Sequence, residues 1–226
     1  MVSLLRSDLC FAVTGDVMLL GAGGHAKVLL DALMLADVMV KGVVDPVLAG
    51  ESTHWRGVPI FGNDDDLLKL VPDQVILVNG IGSVPSSTLR RRLFNRFTEA
   101  GFKFMNVVHP SAFIGAGVDL AEGVQIMAGA IIQADTTIGD NSIINTSAVV
   151  EHDCAIGRDV HIAPGVVISG GVRVGNGAHI GTGASIIQGV AIGDGAVVGA
   201  GTVVVKNVAA NHKIVGHPPR SSIMLY

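Results

Sequence analysis

Every sixth residue from Ile114 to Val204 is Ile, Leu or Val, through sixteen consecutive hexapeptides without an insertion or a miss. An amphipathic helix repeats its apolar positions about every 3.6 residues, and a half-buried strand repeats them at every second residue. A fixed period of six fits neither and predicts a solenoid of short parallel strands. Four residues after each aliphatic the chain always has Val, Ala, Ser, Thr or Cys. Three residues after it the chain always has Gly, Asp, Asn or Ser. These last types close tight turns: Gly, Asn and Asp tolerate positive φ, and Asp, Asn and Ser hydrogen-bond the local backbone. Each hexapeptide therefore reads as a short strand closed by a turn.

These columns resemble those of the hexapeptide-repeat acyltransferases. The resemblance implies a left-handed parallel β-helix of triangular section, with three hexapeptides to an eighteen-residue coil. The aliphatic and small columns are its stacked core, so chemistry is expected where a residue breaks its column.

Ahead of the repeats the pattern changes. Val17–Leu20 is an apolar run ending in Gly21-Ala22-Gly23-Gly24-His25-Ala26-Lys27, and a helical pattern follows over Val28–Leu35. Val38–Val44 reads as a second strand ending at Asp45, and Asp64–Leu70 as a short helix with an acidic first turn. Val75–Val78 reads as a third strand leading into Asn79-Gly80-Ile81-Gly82-Ser83. Ser86–Ala100 is a basic helix carrying Arg90, Arg91, Arg92 and Arg96, and Phe104–Val108 is a last strand. Strands alternating with helices predict a parallel sheet with right-handed crossovers. The boundary falls at His109-Pro110. Residues 1–109 then form a Rossmann-like α/β unit, and residues 110–226 the solenoid with its tail.

Gly21-x-Gly23-x-x-Ala26, between a strand and a helix, has the spacing of a dinucleotide fingerprint, and Asp45 stands where a ribose-binding acid belongs. The unit is half the size of a full dinucleotide domain, so a mononucleotide or a nucleotide sugar fits the space better than NAD. A ligand-free tight turn at Gly21–Gly24 and a plain loop carboxylate at Asp45 are the structural alternatives. The run Arg90–Arg96 reads as a solvated helix face.

Composition narrows the partners. Of 226 residues 49% are hydrophobic and only 15% charged, the net charge is −4, and no basic run offers a nucleic-acid surface. Low-charge, flat solenoid faces predict an oligomer. Two cysteines, Cys10 and Cys154, make no disulfide framework and suit a reducing compartment. Leu4–Leu20 is apolar but interrupted by Arg6, Asp8 and Asp16, too short and charged for a membrane span and unlike a signal peptide. A cytoplasmic protein is the expectation.

Glu151-His152-Asp153-Cys154 is the most chemically loaded break in the columns. His152 follows Val150 by two positions, in an outward column, and Asp153 takes the turn column. A carboxylate-held neutral imidazole serves as a general base near neutral pH; a solvated histidine beside a turn aspartate is the alternative. In an eighteen-residue coil Gly170 stacks on His152 at one strand spacing, about 4.8 Å. A base and a backbone oxyanion donor one coil apart suit acyl transfer. His161 and His179 also differ by eighteen and share a column, and His161 lies on the coil that joins His152 to Gly170.

The order of motifs now carries a fuller resemblance. It comprises Gly-Ala-Gly-Gly-His-Ala-Lys at 21–27, His-Pro-Ser-Ala at 109–112, Asn-Thr-Ser-Ala at 145–148, Glu-His-Asp-Cys at 151–154 and Gly-His-Pro-Pro-Arg at 216–220. This is similar to the sialic-acid O-acetyltransferase / nucleotide-aminosugar N-acetyltransferase family, from about Val17 to Arg220. Within it the chain looks most like the enzymes that acetylate the 4-amino group of nucleotide-linked 4-amino-4,6-dideoxy sugars such as GDP-perosamine.

The resemblance implies acetyl-CoA as co-substrate, no metal, and a homotrimer with active sites between subunits. It implies His152 as general base with Asp153 in place of the family's usual Glu, and the Gly170 N–H as oxyanion donor. His161 would contact the thioester region and Asn145 the sugar. Gly23, Gly24, His25, Lys27, Asp45 and the loop Gly80, Ile81, Gly82, Ser83 would hold the nucleotide diphosphate. Gly199, Lys206 and Arg220 would line the CoA groove. Two departures stand out: Asp153 is one methylene shorter than Glu, and Asp45-Pro46 replaces the paired acids of UDP-sugar members, leaving GDP open. An O-acetyltransferase on a free sialic acid, which needs no diphosphate cradle, and an NAD-binding regulatory trimer are competing readings. A trimeric zinc lyase is disfavoured by histidine spacings of nine and eighteen.

Overall fold

The computed structural model describes residues 15–85 and 87–216; Cys10 and Arg220 lie outside them. The N-terminal sheet contains β1 (Asp16–Leu20), β2 (Val40–Val44), β3 (His54–Trp55), β4 (Val58–Gly62), β5 (Val75–Asn79) and β6 (Lys103–Phe104), in the order β3-β4-β2-β1-β5-β6. Every pairing is parallel except β3 with β4. The sheet is covered by α1 (Gly24–Leu35) and α3 (Leu89–Glu99), with the short α2 (Asp64–Leu67) beside β4. β1 shows why its sequence is continuously apolar. Val17 and Leu19 pack with the α1 side chains Leu29, Leu30 and Leu33, while Met18 and Leu20 pack with Leu93, Phe94 and Phe97 of α3. A central parallel strand covered on both faces has no polar side to show.

A hairpin and a buried arginine differ from the sequence expectation here. The hairpin of β3 and β4 turns through Arg56 and Gly57, both at positive φ (49° and 84°), the conformation that two-residue hairpin turns require. Arg90 is buried instead of solvated, at 6% exposure. It lies on the same helical stripe as Leu93, Phe94 and Phe97, and its guanidinium donates to the carbonyls of Asn79, Ile81 and Asn141.

The solenoid begins at Val107. Val107 pairs with Gln125, Gln125 with Ile143, Ile143 with His161, and His161 with His179, always eighteen residues on. Three such parallel sheets run the length of the domain, so three hexapeptides do make one coil. We call them the first face (Val107–Val108 to Lys213–Ile214), the second (Phe113–Ile114 to Val203–Val204) and the third (Asp119–Leu120 to Ala191–Ile192). Ile126, Ile132, Ile144 and Ile162 of the aliphatic column are fully buried. The turn column has positive φ throughout, from Gly117 at 73° to Gly201 at 64°, with Asp135, Asn141, Ser147, Asp153 and Asp159 between 55° and 58°. The expected strand Phe104–Val108 is divided. Lys103–Phe104 closes the N-terminal sheet and Val107–Val108 opens the first face, with Asn106 Oδ1 accepting from Val124 N at 2.9 Å between them.

A buried polar clamp joins the two units. Gln125 of the first face donates to the Asn79 carbonyl at 2.8 Å and meets His25 Nε2 at 2.7 Å. Asn79 Nδ2 reaches Asn141 Oδ1 at 3.1 Å, and Phe104 N donates to Glu122 at 2.8 Å.

Candidate functional site

The strand Val149–Val150 on the second face ends with Val150 locked in the core, which throws His152 out at the turn towards the third face. His152 Nδ1 and Asp153 Oδ2 lie 2.6 Å apart, so the shorter carboxylate does reach the ring. The left-handed backbone at Asp153 (φ 58°) holds it there. With Nδ1–H given to Asp153, Nε2 carries the free lone pair. The Asp153 hydrogen bond raises the imidazole pKa above its ordinary value. Gly170 stacks on the ring: a Cβ there would stand 2.7 Å from Cε1 and 2.8 Å from Nε2. Glycine is needed at 170 for this approach. The ladder takes the Gly171 N–H, which donates to the His152 carbonyl at 2.9 Å, and leaves the Gly170 N–H beside the imidazole.

A second group gathers on the first face under the N-terminal loops. His161 and His179 stack one coil apart, ring centroids 4.8 Å and planes at 76°. His161 is 8% exposed. Asn145 Oδ1 accepts from Thr146 N, which turns Asn145 Nδ2 towards His161 Nε2 at 3.2 Å. Burial first, then the neighbouring His179, pushes the His161 pKa down to about 3, so the ring is neutral. The Nδ1 atoms of both rings have no hydrogen-bond partner; the Ser83 backbone opposes the His161 shift without completing a bond. His25 is pushed down to about 4 by burial, against the pull of its Gln125 hydrogen bond. Gly82 approaches His25, where an added Cβ would lie 3.4 Å from the His25 Cβ, and Ile81 packs on Gly21.

These buried neutral rings make the fold acid-sensitive. Both folded pKa values lie below the ordinary 6.5, so their contribution is intact above pH 6.5 and is lost as pH falls towards about 4 for His25 and about 3 for His161. Thermal melts between pH 6.5 and about 5, above the carboxylate range, should show a falling Tm. The double variant His25→Gln, His161→Gln should flatten that slope. Equal slopes in the two proteins would remove these histidines as the cause.

Among the glycine-loop residues, Gly23 caps α1 without a side-chain hydrogen bond, and added Cβ atoms at Gly23 and Gly24 would meet open space. Packing does not require glycine there; the uncapped helix N–H groups face room for an anion. Lys27 is exposed in the first turn. Asp45 is a turn carboxylate: Oδ2 accepts from Ala22 N at 2.9 Å, and Oδ1 from Val47 N and Leu48 N at 2.9 and 3.1 Å. It ties the glycine loop to the end of β2.

His161 stands nine residues from His152, half a coil, and so lies on another face of the triangle instead of beside it. The register puts Lys206 three coils above His152, through Gly170 and Gln188, and Gly199 three coils above Asn145. Gln188, exposed in the column between His152 and Lys206, escaped the sequence reading; its place in the eighteen-residue count is the signal that finds it. The hydrogen bonds from the N-terminal unit to the coils run to Leu120, Glu122, Val124, Gln125, Asn141 and Arg158, and none reaches the His152 turn among the described residues. No group of three or more His, Cys, Asp or Glu is gathered to hold a metal, and no helix is long and apolar enough to cross a membrane, among the described residues.

Residues 16–97 match the PglD N-terminal domain, and residues 135–170 the bacterial transferase hexapeptide (six repeats). UDP-N-acetylbacillosamine N-acetyltransferase of Bacillus subtilis (strain 168) is 37% identical over 117 residues, 50% of this chain and 51% of that one. The chain thus matches about half the length of this curated relative. Among solved structures, a histidine-to-asparagine mutant of perosamine N-acetyltransferase from Caulobacter crescentus, in complex with CoA and GDP-perosamine, is 40% identical. It has a TM-score of 0.82, over 90% of this chain and 95% of that one. The acetyltransferase domain of PglB from Neisseria gonorrhoeae FA1090, in complex with acetyl coenzyme A, is 30% identical at a TM-score of 0.83, over 91% and 98%. The fold is accordingly an α/β unit followed by a left-handed parallel β-helix. With likeness over nearly the whole of both chains, and with the repeat and N-terminal matches in the same order, this chain belongs to the nucleotide-aminosugar N-acetyltransferase family of hexapeptide-repeat acyltransferases.

Proposed function

We propose that the chain is an acetyl-CoA-dependent N-acetyltransferase acting on the 4-amino group of a nucleotide-linked 4-amino-4,6-dideoxy sugar, with GDP-perosamine as the substrate. The observation that carries this is the His152 ring, held by Asp153 on one side and pressed against Gly170 on the other. The sugar amine attacks the thioester carbonyl, His152 Nε2 takes the amine proton, and the Gly170 N–H donates to the oxyanion. Collapse of the tetrahedral intermediate expels CoA as the thiolate, which the imidazolium then protonates. The N-terminal unit, ahead of Val107, selects the nucleotide sugar. Its diphosphate lies at the open N-terminus of α1, near Lys27 and the loop Gly80–Ser83. Asn145 and His161 border the sugar and thioester. CoA runs up the solenoid past Gly199 and Lys206, with Arg220 of the tail.

The working form in this proposal is a homotrimer. In one chain the base and the nucleotide loops occupy different faces, so a second copy has to bring them together. The second face has the surface for it, with Phe113, Val167 and Val203 at 52%, 43% and 64% exposure in one outward column. Assay of GDP-, UDP- and dTDP-linked 4-amino sugars with acetyl-CoA tests the reading. GDP-perosamine should give the highest kcat/KM and an N-acetyl product. Product acetylated only on a hydroxyl would favour a sugar O-acetyltransferase, and tight NAD binding without CoA affinity the regulatory reading.

Asp153 gives a pH test. The free enzyme needs neutral His152, so kcat/KM rises with pH through a pKa that Asp153 holds up. Asp153→Asn should shift that acid limb to lower pH and lower the plateau, because the ring loses its anchor. An unmoved limb would mean that another group controls it.

A further inference from the structure

Gln125 lies wholly buried on the first face, where the α1 loop rests on the coils. Its partners orient its amide. The Asn79 carbonyl can only accept, so the group 2.8 Å from it is the Gln125 NH₂. Gln125 Oε1 therefore faces His25 Nε2 at 2.7 Å, and an amide oxygen also can only accept. The His25 proton must then sit on Nε2. Turning the amide over would set its oxygen against the Asn79 carbonyl. Burial pushes the His25 pKa down to about 4, so the ring is neutral and Nδ1 keeps its lone pair.

That lone pair opens on the nucleotide cradle. His25 is the second residue of α1, after Gly24. Its Nδ1 takes no hydrogen bond from the chain among the described residues and, unlike Nδ1 of His161 and His179, is not sealed from solvent. Gly82 lies against the His25 side chain, and Gly23 and Gly24 leave open space beside it. An acceptor thus stands among the N–H donors of the α1 N-terminus. Phosphate oxygens are acceptors too. A phosphate against Nδ1 would need a ring proton, which burial and then the neighbouring Arg90 charge disfavour. A hydroxyl brings its own proton, and a nucleotide sugar carries hydroxyls on both sides of its diphosphate.

We propose that Gln125 is a positioning residue that fixes His25 in the Nε2–H tautomer, so that His25 Nδ1 accepts from a hydroxyl of the bound nucleotide sugar while the helix N–H groups hold the diphosphate. The resemblance places His25 on the diphosphate; the buried amide reassigns it to a flanking hydroxyl. The hydroxyl contact rests on the nucleotide-sugar reading, and the tautomer does not. A site built to hydrogen-bond a substrate hydroxyl rejects an analogue without it, because its own polar group is then left unpaired. Gln125 touches no ligand in this arrangement and acts on selectivity through the ring.

Nitrogen NMR of the histidine-labelled protein reads the tautomer directly, with the His25 signals identified by their loss in His25→Gln. In the free wild type at neutral pH, Nε2 should be protonated and Nδ1 unprotonated. GDP-perosamine should shift Nδ1 without protonating it. An equal shift with GDP assigns a ribose hydroxyl, and a shift with the nucleotide sugar alone assigns a hexose hydroxyl. Gln125→Glu keeps the shape but sets a carboxylate on Nε2, which should leave both ring nitrogens protonated and turn Nδ1 into a donor. Its KM for GDP-perosamine should then rise at least about tenfold with kcat within about twofold, as for a lost ground-state contact. Nδ1 protonated in the free wild type, Nδ1 gaining a proton from either ligand, or Nδ1 unmoved while both ligands bind would each overturn the proposal. Failure of both ligands to bind would overturn the nucleotide-sugar reading and the hydroxyl contact together, and the tautomer would still be decided by the free protein.

Discussion

His152→Asn should lower kcat/KM by at least roughly 10² while leaving KM for the nucleotide sugar nearly unchanged, because a positioned base contributes about 10²–10⁴ in rate and the diphosphate is held elsewhere. Asparagine keeps similar size and a hydrogen-bonding group beside Asp153 but cannot take a proton. The exposed turn tolerates the change: His152 fills no core position, and its backbone carbonyl still accepts from Gly171 N. A loss confined to kcat therefore reads as loss of the base and not of the fold, and an unchanged melting curve checks that. Steady-state kinetics with saturating acetyl-CoA decide the matter. Turnover like the wild type's would mean that water or the substrate amine handles the proton.

The solenoid was legible residue by residue because each column fixes one environment. A position six residues on from a buried aliphatic has no choice but the core, and the turn column announces its positive φ through Gly, Asp and Asn. The stacking of Gly170 on His152 followed from counting eighteen. The N-terminal unit was less legible. α1 starts at Gly24, four residues before its apolar pattern, since Gly-His-Ala-Lys carries no helical stripe. The β3–β4 hairpin was missed because a two-residue strand has no measurable period, and Arg56 does not advertise positive φ. Arg90 looked like one of four solvated arginines; only its three-, four- and seven-residue spacing to Leu93, Phe94 and Phe97 puts it on the buried stripe. The burial of His25 and His161 depends on how the two units meet, which no local pattern encodes.

The face separation within one chain leads to the second large effect. If the base of one subunit serves the nucleotide loop of another, two inactive variants will rescue each other. Lys27→Glu places a carboxylate where the diphosphate is expected, and His152→Asn removes the base; each alone should be nearly inactive. In trimers refolded or coexpressed from an equal mixture, half the bases and half the loops are intact. Random pairing then joins an intact base to an intact loop in about one site in four, so the mixture should regain about a quarter of wild-type activity. A site built within one chain predicts none, because no chain in the mixture carries both groups. The double variant mixed with wild type is the control for subunit exchange: it too should retain about a quarter in a shared site, against about half if each chain works alone. Failure of the two single variants to complement, in a mixture shown by mass to contain hybrid trimers, would place base and nucleotide in one chain. It would require the N-terminal unit to move from its clamp on Gln125 and Asn141.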